Sequence, residues 1–186
     1  MKFLLALGSN QTSTWGKPAQ TLSFAIETLS IRLGIHPNVS RFYTTPAFPA
    51  GAGPDFVNAA IAFEADITPR DLLVKCHTIE EDAQRKRIKR WGQRTLDIDL
   101  IAGGDAVLPD RDAHQYWRDL PLAAQRAEAP TELILPHPRL QDRAFVLVPL
   151  LDVAPDWRHP ILGQTVTEMC AALSQSDKDA VIALKT

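Results

Sequence analysis

The sequence predicts an α+β fold, an antiparallel sheet backed by helices in the ferredoxin-like order β-α-β-β-α-β. Three observations predict it. Short apolar stretches of strand character recur at residues 2–7, 39–44, 56–65 and 95–102. Two stretches of helical spacing, each opened by a proline, lie between the first and second of these and between the third and fourth. Glycines punctuate the joints at Gly8, Gly34 and Gly103-Gly104. The 186 residues fit one domain spanning 1–186, at roughly 100–200 residues per domain.

In chain order, residues 2–7 form a short buried strand that Gly8 ends. Pro18 opens the first helix, Leu22, Ala25, Ile26, Leu29 and Leu33 give its apolar stripe, and Gly34 caps it. Val39 to Thr44 is the second strand, and Pro46 to Pro54 is an irregular loop. Phe56 to Ala65 is the third strand, with Val57, Ala59, Ile61 and Phe63 on one face. Thr68 is the N-cap of the second helix, with Pro69 at its first position and Leu72, Leu73, Cys76 and Ile79 as its stripe. Thr95 to Ala102 is the fourth strand. Beyond it come one or two surface helices within Asp112 to Pro130, a short strand at Leu133 to Leu135 and a helix over Asp142 to Leu151. An amphipathic helix over Gln164 to Leu173 and an edge strand at Val181 to Leu184 follow.

Bulk composition narrows the class. Hydrophobic residues make up 45% and charged residues 23%, as in ordinary globular proteins. A net charge of −2 gives no global attraction to nucleic acid or membrane. Cys76 and Cys170 lack metal-ligand spacing and suit a reducing compartment. The apolar start, Phe3 to Leu7, is too short for a signal peptide, and no segment has membrane-spanning length. A cytoplasmic location is expected.

Chemistry concentrates in RKRIKRWGQRTLDIDL, residues 85–100. Arg85, Lys86, Arg87, Lys89, Arg90 and Arg94 precede a strand that carries Asp97 and Asp99. Alternation puts both acids on one face and Leu96, Ile98 and Leu100 on the other. Two adjacent carboxylates repel unless a cation lies between them, and Mg²⁺ takes one or two carboxylates with waters and phosphates. A solvated outer face is the plain alternative. The basic run admits a solvated loop, a nucleic-acid track, an acidic partner or a triphosphate clamp. The last matches the acids best, because a triphosphate attracts both Mg²⁺ and Arg. An RNA-binding domain of this topology would show stacking aromatics with basic flanks on a central strand, and none is present. Asn58, flanked by apolar residues, requires hydrogen-bond partners.

RWGQRTLDIDL, with LALGSN, FYTTPAF, PDFVNAA and LPHPRLQDRAFVLVPL in that family's order, resembles the 6-hydroxymethyl-7,8-dihydropterin pyrophosphokinases of folate biosynthesis. The resemblance implies transfer of pyrophosphate from ATP to the pterin hydroxymethyl group, with AMP as the other product. It implies that Asp97 and Asp99 bind two Mg²⁺ ions, and that Asp97, Asp99, Arg94, Arg85 and Trp91 form the catalytic set. Thr45, Pro46, Phe48, Phe56, Asn58 and Phe145 match pterin-binding positions. Glu80, Arg85, Arg87, Arg94, Ile98, His137 and Arg143 are the nucleotide candidates. Trp91 belongs to a loop that closes the site in the family. A regulator that binds ATP or pterin without turnover is the non-enzymatic alternative, and retention of both acids and Arg94 opposes it.

The departures are local. Gln93 and Gln84 stand where the family favours Pro and Gly, and the basic loop is shortened near Ile88. Residues 109–131 exceed the family's usual connection and are expected to form a lid or a self-association surface, with Tyr116 and Trp117 on one helical face. A monomer is otherwise expected. No role is assigned to His36, His77, His114 or His159.

Overall fold

The computed structural model describes residues 1–47, 53–84, 94–121, 124 and 128–185. Its centre is a six-stranded antiparallel sheet ordered β5-β1-β4-β3-β6, with β2 also on β4. The strands are β1 (Lys2–Ser9), β2 (Asn38–Val39), β3 (Tyr43–Thr45), β4 (Phe56–Glu64), β5 (Asp97–Gly103) and β6 (Ile182–Ala183). Helices α1 (Pro18–Leu33), α2 (Pro69–Asp82), α3 (Arg111–Asp119), α4 (Ala144–Val153), α5 (Val166–Ala172) and α6 (Gln175–Asp179) surround it. The chain is therefore α+β, as predicted. The sheet has more than four strands because the second one is split and β6 lengthens one edge.

Alternation along the central strands creates two cores. Phe3, Leu5 and Leu7 of β1 and Val57, Ala59, Ile61 and Phe63 of β4 face α1 and α2. There they meet Leu22, Ala25, Ile26 and Leu29 of α1 and Leu72, Cys76 and Ile79 of α2. On the opposite face, Leu4, Ala6, Ala60, Ala62, Ile101 and Ala102 pack with Val146, Leu147 and Leu150 of α4 and with α5. The caps form as the sequence requires. Thr68 Oγ1 accepts the Asp71 amide at 3.1 Å, and Gly34 closes α1 at φ 63°. Leu73 is only half-buried. Both cysteines are free and buried.

Four boundaries differ from expectation, each for a local reason. Gly8 does not end β1: the ladder continues to Ser9, with Gly8 opposite Asn58 on one side and Asp97 on the other. The second strand breaks at Ser40, whose hydroxyl rather than its carbonyl takes the Ala60 amide at 2.9 Å. Arg41 there turns out to Asp152 of α4, giving it both Nε at 3.1 Å and a terminal nitrogen at 2.8 Å. β5 starts at Asp97 rather than Thr95, though Leu96 is already buried. Leu133 to Leu135 makes one bridge, Leu108 to Leu135, and no strand. The Asp112–Pro130 segment contributes α3, capped by the Asp110 carboxylate on the Ala113 amide at 2.8 Å. Among the described residues no helix is long and apolar enough to cross a membrane.

Candidate active site

Register gathers the candidate residues at one end of the sheet. Gly8, one residue before the end of β1, lies next to Asn58 near the start of β4 and next to Asp97 at the start of β5. Tyr43 and Thr45 of β3 pair with Asn58 and Phe56. Phe56, Asn58, Asp97 and Asp99 thus share the α4 side of the sheet, by the two-residue period that buries Ala60, Ala62 and Ile101 beneath α4. The first turn of α4 arrives at the same end, bringing Arg143 and Phe145.

The acids are each matched by an arginine. Arg94 pairs with Asp97, and an Arg143 terminal nitrogen lies 3.6 Å from an Asp99 carboxylate oxygen. Acids and basic residues are therefore in contact in this structure. All four side chains are partly exposed, with Asp99 the most open at 37%. Such half-exposed pairs contribute only about 0–1 kcal/mol each, so other charges can replace either partner. The donor set fits a hard divalent cation: two carboxylates on one strand face, remaining positions open to water or phosphate. Among the described residues no third His, Cys, Asp or Glu joins them.

Asn58 is buried, and its Nδ2 donates to Thr45 Oγ1 at 2.8 Å. That bond orients the amide and leaves its oxygen and second N–H to read a ligand edge. A methyl group on Gly8 would stand 3.1 Å from Asn58 Oδ1, so glycine keeps this approach clear. Phe56 is half-buried, Phe145 is 40% exposed, and the Arg143 guanidinium lies 5.6 Å from the Phe145 ring centre. Pro46 is exposed immediately after β3.

His137 ties the segment before α4 to the acid strand, its amide donating to Ile101 O at 2.8 Å. Its Nδ1 accepts the Arg139 amide at 3.1 Å, so the neutral ring carries its proton on Nε2. The ring lies deep among protein atoms while keeping part of its surface open. Burial first, then Arg143, holds its pKa well below the ordinary histidine value.

Two of the nucleotide candidates have buried side chains. Ile98 does not line the cleft: its side chain is buried in the helix-side core, and its amide donates to Glu80 Oε1 at 2.7 Å. Glu80 in turn is 2% exposed and braces the edge strand between the two acids. Arg85, Arg87, Trp91 and Phe48 lie outside the described residues, as do Lys86, Ile88, Lys89, Arg90 and Gln93.

Sequence reasoning missed Asn10. It is nearly buried, its Oδ1 accepts the Arg94 amide at 2.8 Å, and its Nδ2 donates to Pro54 O at 3.0 Å. It fastens the ends of two loops to the end of β1. The visible signal was a polar Ser9-Asn10 pair directly after a buried strand. Arg139 was also missed: its guanidinium donates to the Trp117 carbonyl at 3.1 Å, joining α3 to the His137 segment.

Comparison with known proteins places the chain in a family. The curated relative from Methylorubrum extorquens, named 2-amino-4-hydroxy-6-hydroxymethyldihydropteridine pyrophosphokinase, is 36% identical over 178 residues, 95% of this chain and 96% of its own length. The Synechocystis protein of that name is 34% identical over 167 residues, 89% of this chain and 73% of its own. Among solved structures, a Plasmodium falciparum HPPK-DHPS with pterin and p-hydroxybenzoate superposes at TM-score 0.60 and 16% identity. The match covers 91% of this chain but only 43% of the malarial one, so it speaks for the fold alone. The family model for 7,8-dihydro-6-hydroxymethylpterin-pyrophosphokinase (HPPK) matches residues 4–155, a span that holds every site residue named above, and the chain belongs to that family.

Proposed function

We propose that the chain transfers pyrophosphate from ATP to the hydroxymethyl oxygen of 6-hydroxymethyl-7,8-dihydropterin, a step of folate biosynthesis. Family membership supports the reaction, and one observation carries the site: Asp97 and Asp99, each beside an arginine, share a sheet face with the Asn58–Thr45 pair. The pterin hydroxyl attacks the β-phosphorus, the bond from that phosphorus to the α,β-bridging oxygen breaks, and AMP leaves with that oxygen. The hydroxyl proton goes to solvent or to a nearby base.

In this reading Phe56 and Phe145 flank the flat pterin, and Asn58 presents its carbonyl and remaining N–H to the ring's amide-like edge. Thr45 holds that amide in place, with Pro46 alongside, and Phe48 is a pterin-binding candidate by the resemblance alone. Arg94 and Arg143 turn from the acids to phosphate oxygens, where charge-assisted bonds are worth about 1.5–3 kcal/mol each. Arg85, Arg87 and Trp91 join them from the basic segment. His137, neutral and protonated on Nε2, donates to the nucleotide without adding charge. Glu80 and Ile98 serve by fixing the strand between the acids. Asp97 and Asp99 would hold Mg²⁺, which supplies charge neutralisation along the triphosphate when bound.

We further read β1-α1-β2/β3-β4-α2-β5 as a ferredoxin-like kernel extended by β6, in a single domain with residues 109–131 as an insertion. A cytoplasmic monomer without nucleic-acid or membrane partners completes the proposal. Its test is direct. The protein is mixed with ATP, Mg²⁺ and 6-hydroxymethyl-7,8-dihydropterin, and AMP and pterin diphosphate are measured. Both products are expected in equal amounts, and Asp97→Ala and Asp99→Ala each remove them while the protein stays folded. No AMP from the wild-type protein across metals and pH overturns the assignment.

A further inference from the structure

Two histidines outside the cleft are wholly buried, His114 on α3 and His159 in the turn before α5. Their ring centres are 5.7 Å apart and the rings stand at 72°. His114 Nε2 is 3.0 Å from the Pro136 carbonyl, which can only accept, so this nitrogen carries the proton. His159 Nδ1 lies 3.2 Å from both the Ile161 and the Leu162 amides, which can only donate, so this nitrogen is bare. With both rings neutral, His114 Nδ1 is an acceptor and His159 Nε2–H a donor. Both of these ring nitrogens are buried and, among the described residues, without a hydrogen-bond partner. A buried polar atom without a partner costs about 1–3 kcal/mol, and here one orphan complements the other.

The tautomers also decide what the pair is for. A metal bridging both rings would need the His159 Nε2 lone pair, yet Nδ1 of that ring is already the acceptor of two amides. The pair is therefore set up for one bridging water, which accepts from His159 Nε2–H and donates to His114 Nδ1.

We propose that one buried water bridges His159 Nε2–H and His114 Nδ1, that this bridge fixes α3, and that α3 thereby positions Arg139 on the nucleotide side of the site. The route is short. Trp117 of α3 gives its carbonyl to the Arg139 guanidinium at 3.1 Å, and the Arg139 amide donates to His137 Nδ1 at 3.1 Å. The Leu108–Leu135 bridge closes the base of the inserted segment. In this proposal α3 braces the cleft. The charges acting on the pair are Arg118 and Asp119, both from α3; Arg118 acts on both rings. Protonating either ring removes the acceptor or adds a second positive charge beside Arg118, so the brace loosens in acid.

This inference rests on the pyrophosphokinase reading for its kinetic consequence only. Long-range ¹⁵N–¹H spectra of the wild-type protein give the tautomers without any assay. Protons on Nε2 of both rings are expected, and a proton on Nδ1 of either ring at pH 7.5 overturns the pair. Asn at 114 keeps an acceptor where Nδ1 stands, whereas Gln keeps a donor where Nε2 stands. His114→Gln is expected to raise KM for ATP about tenfold, with KM for the pterin unchanged and kcat within about twofold. His114→Asn is expected to keep KM for ATP within about threefold. Equal effects of the two variants, or a smaller effect of Gln, overturn the positioning role. If the wild-type protein makes no AMP, calorimetric ATP affinity of the same variants decides the inference separately. If neither variant folds, the wild-type tautomers decide it.

Discussion

Replacing Glu80 with alanine removes the group that accepts the Ile98 amide at 2.7 Å, directly between Asp97 and Asp99. β5 is an edge strand, so no neighbouring strand can take over that amide. An orphaned buried donor costs about 1–3 kcal/mol, and the lost buried methylene adds about 0.8 kcal/mol. The sum centres on about 3 kcal/mol. For a domain of this size that corresponds to a fall of about 8 °C in Tm. Activity should suffer as well, because both carboxylates hang on the backbone that Glu80 holds, and kcat is expected to fall at least tenfold. Glu80→Gln keeps an oxygen where Oε1 stands and should cost about 1 kcal/mol, with kcat within about threefold. Thermal melts and steady-state assays on both variants separate bracing from nucleotide contact. If Glu80→Gln matches Glu80→Ala in both Tm and kcat, the carboxyl group is not acting through the Ile98 amide and the reasoning is refuted.

Gly8→Ala places a Cβ 3.1 Å from Asn58 Oδ1, displacing the amide from Thr45; KM for the pterin should rise about tenfold while KM for ATP stays level, and equal rises in both would contradict it. Gln84 has φ 56°, the left-handed region that costs a side chain about 1 kcal/mol, so Gln84→Gly should raise Tm by about 2–3 °C, and a lower Tm would show that the residue is not strained. Burial pushes His159 down to about 4, so the unfolded chain binds its proton first as pH falls. That contribution to stability is complete above about pH 6.5 and shrinks as pH falls toward 4, by about 2–3 kcal/mol. Urea melts at pH 7.5 and 4.5 should therefore show a smaller difference for His159→Gln than for wild type, and an unchanged difference would dismiss the histidine.

What the sequence disclosed followed periodicity and punctuation. Asp97 and Asp99 against Leu96, Ile98 and Leu100 could be sorted to faces from alternation alone, and Thr68-Pro69 marked a helix start without any tertiary information. What stayed hidden depended on contacts between distant residues. Asn10 meets Arg94 across 84 positions, and nothing near Asn10 in the chain announces that bond. The break after Val39 is caused by Ser40 bonding Ala60 and by Arg41 reaching Asp152, neither of which strand propensity can register. His114 fell on a polar-looking helix, and only the fold reveals that it is the helix's buried residue. Glu80 read as a helix-end acid near the cleft, because burial beneath an edge strand cannot be seen from spacing.

The pairing of each acid with an arginine bears on how one cleft can serve a highly charged substrate and remain folded without it. Asp97 and Asp99 would repel each other if left alone on one face. Arg94 and Arg143 offset that repulsion from two different directions, one preceding β5 and the other capping α4. Because every member is partly exposed, neither pair is strong enough to commit its partners. Charge-assisted bonds to phosphate exceed that strength, so the arginines can exchange carboxylate for phosphate at little net cost. The residues around them are the reverse. Glu80, Asn10 and Asn58 are nearly buried and bonded to residues distant in sequence, so in the proposed reaction they would stay put while the charged groups change partners. A rigid polar frame carrying exchangeable charges is what transfer of a phosphoryl group requires of its site, since the catalytic gain comes from positioning and electrostatics held ready in advance.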